Sequence, residues 1–243
     1  MEIQCPHCGK SFSGTGEEQN CPHCGAPVSE RTPDEHEESG EYYCPWDDRD
    51  NLGFFKALVD TWMQSMFNPV RFFSKMPREG GLAGPLLYGF IVGEIGFLFS
   101  LMWEGMSVVI PPFVDQPGFG DMVGEAVGMT FFFFASPAIV LAMLFIFSAI
   151  LHACLLIVGG AQKSFETTFR VVCYASSTDL LEIIPVCGWF IGLVWYLVLT
   201  VIGVRETHEI PTGRAALAVL LPAVFCCGCI ALVLLIALPH FIN

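Results

Sequence analysis

Charge is what this chain has least of. Only 14% of its 243 residues are Asp, Glu, Lys or Arg, whereas 53% are hydrophobic and 22 are Phe. Soluble domains carry about a quarter charged residues, so a soluble globular fold is excluded. Positive charge is scarcer still at the start, where Lys10 is the only Lys or Arg in the first 30 positions. A nucleic-acid-binding head needs cations to meet phosphates, so no nucleic-acid partner is expected. Catalytic signatures are missing too: there is no nucleophile elbow, no phosphate-binding glycine loop and no HExxH, and no enzyme is expected. No apolar run precedes the first cysteine, so no secretory leader is expected. The head is then expected in the cytoplasm, where thiols stay reduced.

What charge there is lies unevenly. Residues 1–50 hold 3 basic and 12 acidic side chains, and the remainder 8 and 12. A short acidic head therefore precedes a long membrane body. Within the head, Cys5-Pro-His-Cys8-Gly and Cys21-Pro-His-Cys24-Gly are two copies of one knuckle, with 12 residues between Cys8 and Cys21. Each turn aims two sulfurs at one point, and four thiolates complete a tetrahedral site suited to structural Zn2+. A segment this short has almost no core, so metal binding would supply most of its folding energy. His7 and His23 read as surface residues, since four cysteines already close the site. The head, residues 1–28, resembles the small zinc ribbons that open many bacterial membrane proteins. Residues 29–50 begin as a low-complexity acidic tether with too little apolar surface to fold, and Cys44 reads as a lone thiol rather than a fifth ligand.

Residues 51–81 form a collar. Phe55, Leu58, Val59, Trp62, Met63 and Met66 recur at helical spacing, with Lys56, Asp60 and Gln64 opposite and Asn51 as the expected N-cap. Two placements stay open, in the interface plane or packed on the cytoplasmic side of the bundle. Arg71, Lys75 and Arg78 then mark the cytoplasmic side of the first span.

A hydrocarbon core about 30 Å thick needs ~20 apolar residues of helix. The expected spans are 82–103, 131–158, 165–184, 186–204 and 215–238, the second cut from a 37-residue stretch, 126–162, without any Asp, Glu, Lys or Arg and open to a bend at Pro137. The third carries Arg170, Asp179 and Glu182, and charge asymmetry decides its case. With five spans, Lys163, Arg170, Arg205 and Arg214 join the earlier cations on the cytoplasmic side, and the outer segments hold no Lys or Arg. Dropping the third span would put Arg205 and Arg214 outside. The expected fold is all-α integral membrane, with five transmembrane helices, N-terminus in and C-terminus out.

Ionisable groups inside a bilayer are costly and face protein or water. Cys173, Ser176, Asp179 and Glu182 recur every three residues as a slowly drifting stripe. It reads either as a packed interfacial set or as a polar pathway. Glu94, near the middle of the first span, is either uncharged there or paired with His152 of the second. Glu94, His152, Ser176, Asp179 and Glu182 are thus the candidate intramembrane polar site. Cys226, Cys227 and Cys229 fall mid-span, where adjacent cysteines on a regular helix cannot face one point; they read as small packing residues.

The segments NPVRFFSKMP, SFETTFRVVCYAS, IIPVCGW and VIGVRETHEIPTGRAALAVLLP resemble the bacterial branch of the Yip (Ypt/Rab-interacting) membrane proteins. The best motifs are Thr168-Phe169-Arg170-Val171-Val172 with Tyr174-Ala175, and Gly203-Val204-Arg205-Glu206-x-His208. The resemblance covers roughly residues 52–221. It implies a five-span helical membrane domain with a cytoplasmic N-terminus. Eukaryotic relatives are associated with Rab-type GTPases and vesicle traffic; a Rab partner is not carried over to this chain. Thr178 stands where such proteins often have Pro, so a kink there is not implied. Two functions follow for a protein of the cell's inner membrane: a non-enzymatic adaptor or organiser with the ribbon docking a protein partner, or a transporter or channel for a small solute, ion or lipid using the acidic residues.

Overall fold

The computed structural model describes residues 2–4, 11–13, 19–20, 22–24, 27–28, 42–109 and 119–225. The chain divides into two units, Met1–Tyr43 and Cys44–Asn243. In the first, β1 (Glu2–Gln4) pairs antiparallel with β2 (Ser11–Ser13), and β3 (Gln19–Asn20) with β4 (Pro27–Val28). Gln4 faces Ser11 and Asn20 faces Pro27, so each cysteine pair falls in the chain between two paired strands. Cys24 is exposed in a turn; Cys5, Cys8, Cys21 and the acidic residues 29–41 lie outside the described residues.

The second unit is helical throughout its described residues. Its elements are α1 (Arg49–Leu52), α2 (Phe54–Phe67), α3 (Pro69–Lys75), α4 (Ala83–Val109), α5 (Phe119–Val158), α6 (Phe165–Ala175), a 3-10 helix (Ser176–Ile183), α7 (Gly188–His208) and α8 (Thr212–Phe225). Packing starts earlier than the expected collar. Cys44 and Trp46 are fully buried, the Trp46 indole donates to the Gly84 carbonyl at 2.7 Å, and its ring meets Phe54 and Tyr88. Residues 44–50, expected as the tail of the tether, therefore belong to the bundle. Asn51 is not an N-cap either; its amide bonds Asp48, and Gly53 precedes α2.

Among the described residues, three helices are long and apolar enough to cross a membrane: Ala83–Met106, Val123–Val158 and Gly188–His208. The second is longer than expected, and Pro137 lies within α5 without ending it. The last expected span is described only as far as Phe225, and Cys226, Cys227 and Cys229 lie beyond.

The expected third span is not one regular helix. It is α-helical to Ala175 and 3-10 from Ser176. The cause is a run of hydroxyls. Ser176 donates to the Val172 carbonyl, Ser177 to that of Tyr174 and Thr178 to that of Ala175, at 3.2, 2.7 and 3.2 Å. Such back-bonds compete with the α-helical ladder. At about 1.5 Å per residue for α6 and 2.0 Å for the 3-10 turns, the pair is about 32 Å long. It runs from one end of the bundle to the other. Its start lies beside His208, at the end of α7, while Glu182 near its finish contacts Ser100 and Trp103 near the end of α4.

This segment is buried from Thr167 to Thr178 because its neighbours offer glycine. A Cβ on Gly96 of α4 would stand 2.5 Å from the Asp179 carbonyl oxygen, and one on Gly203 of α7 would stand 2.6 Å from Val171. Helix α4 thus closes on the segment's backbone and α7 on the Val171 side chain, as small residues permit in membranes. Gly96→Ala is expected to lower the thermal midpoint in detergent micelles through overpacking of roughly 1–3 kcal/mol. Gly124→Ala, where a Cβ meets nothing within 4 Å, is expected to hold or raise it, because Ala is the better helix former by about 1 kcal/mol. Equal shifts in a scattering-detected melt would refute the close-packing account.

Candidate functional site

The polar groups of the bundle cluster on the third segment. Arg170 is 2% exposed. Its guanidinium donates to Asp47 at 3.1 Å, to the Pro77 carbonyl at 3.1 Å and to the Gly81 carbonyl at 3.3 Å, with Glu166 at 3.6 Å one turn back. A buried cation costs several kcal/mol unless charge and hydrogen bonds answer it. Here the Asp47 stretch, the loop of residues 77–81 and the turn of α6 before it converge to do so. The Tyr174 hydroxyl reaches the other Asp47 oxygen at 3.5 Å. Burial, with Asp47 beside it, pushes the Cys44 thiol up to about 12. Cys44 packs in the buried core of the bundle.

One turn deeper, Ser177 joins three helices. Its oxygen lies 2.7 Å from the Tyr88 hydroxyl of α4 and 2.7 Å from the Ser65 hydroxyl of α2, while its carbonyl accepts from the Trp62 indole at 3.1 Å. In a 3-10 helix residues three apart eclipse, so Ser176, Asp179 and Glu182 fall in one row where a regular helix would let them drift. Asp179 lies against Gly93 and Gly96. The Glu182 carboxylate accepts from Ser100, and its carbonyl from the Trp103 indole at 2.9 Å.

The expected Glu94–His152 pair does not form. Ser136 donates to Glu94 Oε1 at 2.5 Å, and Oε2 is buried without a partner. A short hydroxyl on the facing helix could reach Glu94, whereas His152 sits near the other end of α5. There His152 Nδ1 lies 2.9 Å from the Thr168 hydroxyl, which lies 3.1 Å from His208 Nε2. The Lys163 backbone N–H donates to His208 Nδ1 at 3.2 Å. Nδ1 is thus an acceptor, so the proton of neutral His208 sits on Nε2 and donates to Thr168, whose own proton goes to His152. The five expected site residues consequently do not converge. Ser176, Asp179 and Glu182 share a row, Glu94 belongs to a pair on α4 and α5, and His152 belongs to a relay at the basic end. Among the described residues no group of three or more His, Cys, Asp or Glu could hold a metal ion.

Outside the helices, Glu209 caps α7 in the left-handed conformation. Arg78 at 2.5 Å and Lys163 at 3.8 Å flank its carboxylate. The hydrogen bond from Arg78, followed by the charges of Arg78 and Lys163, holds that carboxyl below the usual glutamate range.

Sequence reasoning missed Arg170 as a centre, together with Tyr88, Ser177, Thr168 and Ser136. The Ser176-Ser177-Thr178 run was the one local signal, since consecutive hydroxyls are poor company for an α-helix.

Membrane-length helices packed through buried glycines and interhelical hydrogen bonds, with no converging catalytic set among the described residues, define a polytopic membrane protein. A family model for the Yip1 domain matches residues 63–235. The chain belongs to the Yip1 family. No curated protein and no solved structure matches it.

Arg170→Met is expected to cost about 3 kcal/mol or more in denaturant unfolding in micelles. Asp47→Asn should cost less, because the amide keeps an oxygen to accept from the guanidinium and Glu166 remains at 3.6 Å. The double variant should fall short of the sum; strict additivity would sink the node. For Glu209 the sign is that of a lowered carboxyl: the contact with Arg78 is intact above the ordinary glutamate range and is lost as pH falls through the lowered value. Carbon-detected NMR titration should find Glu209 below the usual range in the wild type and back within it in Arg78→Ala.

Proposed function

We propose that this protein is a non-enzymatic membrane adaptor or organiser. Five spans with the N-terminus in and the C-terminus out hold a cytoplasmic zinc ribbon that docks a protein partner. The observation that carries this reading is where the polar groups of the bundle go. Arg170, Ser177, Glu182, Thr168 and His208 each bond another segment of the same unit. Groups spent on holding helices together are not free to conduct or carry a solute.

The topology has its own support. Helix α6 and the 3-10 helix together match the hydrocarbon thickness of about 30 Å and bury their polar groups in protein, as a spanning segment must. Arg78, Lys163, Arg205 and Arg214 gather toward one end, with Arg214 beside Gly160. That end is the cytoplasmic one by the positive-inside rule. Helix α8 leaves from it and forms the start of a fifth span. In the head, the hairpins carrying the knuckles support structural Zn2+ on Cys5, Cys8, Cys21 and Cys24. The membrane is the cell's inner membrane.

A second reading, transport of a small solute, ion or lipid, is favoured by one observation, the buried and unpartnered Glu94 Oε2. One experiment separates the two. The full chain is captured from cross-linked membranes alongside Cys5→Ser/Cys8→Ser and Glu94→Gln variants, while intact cells are labelled with a membrane-impermeant maleimide. The adaptor reading expects bound proteins to be lost only from the double-cysteine variant, and exposed Cys187 to label from outside. An unchanged set of partners removes the docking role. Cys187 labelling only after cells are opened removes the third span, and with it the five-span topology.

A further inference from the structure

Helices α2 and α3 form a hairpin whose depth can be read from its contacts. At its start, Phe54 meets Trp46, which bonds Gly84 at the head of α4. Farther along, Trp62 and Ser65 bond Ser177. Two residues on from Ser177, Asp179 abuts Gly96, which lies about 20 Å along α4 from Ala83 at 1.5 Å per residue. The span Ala83–Met106 is one of the membrane-length helices. Helix α2 therefore descends from the rim of the bundle to well inside the level of the hydrocarbon. Helix α3 climbs back: Phe72 packs on Tyr174, Phe73 against Gly203, and Arg78 just beyond it pairs with Glu209 at the basic end.

Only one side of α2 is covered. Ala57, Thr61 and Ser65, four apart, are buried against the bundle. The neighbouring stripe is apolar and open: Phe55 is 79% exposed, Val59 49%, Met63 50% and Phe67 68%. At the tip of the hairpin the turn keeps the helical hydrogen bonds on both sides of Asn68. The Asn68 N–H bonds the Gln64 carbonyl at 3.0 Å, the Phe72 N–H bonds the Asn68 carbonyl at 2.9 Å, and Pro69 at the first position of α3 has no N–H to satisfy. A turn in lipid requires that economy. Lys56, Asp60 and Gln64 run along the adjoining edge, with Lys56 nearest the rim.

We propose that the α2–α3 hairpin is a re-entrant insertion into the leaflet at the basic end, with Phe55, Val59, Met63 and Phe67 in contact with acyl chains. The occupant is lipid because the stripe is apolar, exposed and level with the membrane-length part of α4. Nothing in this depends on the zinc ribbon or on the docking role. It rests on α4 crossing the membrane.

The test uses the unaltered full chain in phosphatidylcholine–phosphatidylglycerol vesicles containing a lipid with a photoreactive diazirine, either near the glycerol or deep in the acyl chain. Illumination, digestion and mass spectrometry map the adducts. Tagging of Val59, Met63 and Phe67 by the acyl-chain probe, several-fold above Ala57, Thr61 and Ser65, is expected, with Phe132 of α5 as the lipid-facing reference. Absence of adducts on the stripe while Phe132 is tagged overturns the proposal. So does tagging by the glycerol-level probe alone, or a cross-link from the stripe to a second copy of the chain.

Discussion

A polar segment crosses a bilayer only if other protein takes the place of water along its whole length. That constraint governs the membrane unit. The third segment carries a guanidinium, two carboxylates and a run of hydroxyls, and it is accommodated because α4 meets its backbone at Gly96 and α7 receives the Val171 side chain at Gly203. Close approach leaves no room for water, so every hydrogen bond must be found within the protein. The partners of Arg170 accordingly come from as far away as Asp47, 123 positions earlier. Close packing and the hydrogen-bond network are therefore one requirement seen twice.

The same constraint explains why the head of the bundle is assembled as it is. The stretch around Cys44 and Trp46 precedes any span, yet it is buried as deeply as the core. Its Asp47 adds a counter-charge to Arg170 beside Glu166 of α6. The collar then fills the remaining side of the 3-10 helix, with Trp62 and Ser65 satisfying Ser177. What looks in sequence like a sequence of separate attachments is a set of partners for one segment.

Much of this fold was legible beforehand, and for a definite reason. Charge-free runs and the placement of Lys and Arg report on lipid and on the side of the membrane, and both act residue by residue. They located α4, α5 and α7 and the ends of the third segment. Hydrogen-bond partners are different. Asp47 and Arg170, or Ser65 and Ser177, are joined by folding alone, and no periodicity links them. The choice of His152 for Glu94 failed in this way: it matched two ionisable groups by type, whereas the bundle answered Glu94 with a hydroxyl, Ser136, at the right height. The collar likewise has three faces rather than two, because a helix packed by small residues buries Ala57, Thr61 and Ser65 and leaves its larger apolar residues outside. The cysteine quartet was the plainest chemical signal in the chain, and paired strands flank each knuckle in sequence.

The end of α7 shows a different economy. Its cap, Glu209, has a φ of 55°, a conformation that glycine or asparagine usually takes after a helix. Glutamate is tolerated there because its carboxylate ties Arg78 and Lys163 to the same spot. A stop signal built from exposed charges, unlike one built from glycine, is screened by ions over a Debye length of about 8 Å at physiological strength. The boundary between α7 and the turn into α8 is thus expected to respond to ionic strength, at the point where a membrane-length helix meets the solvent.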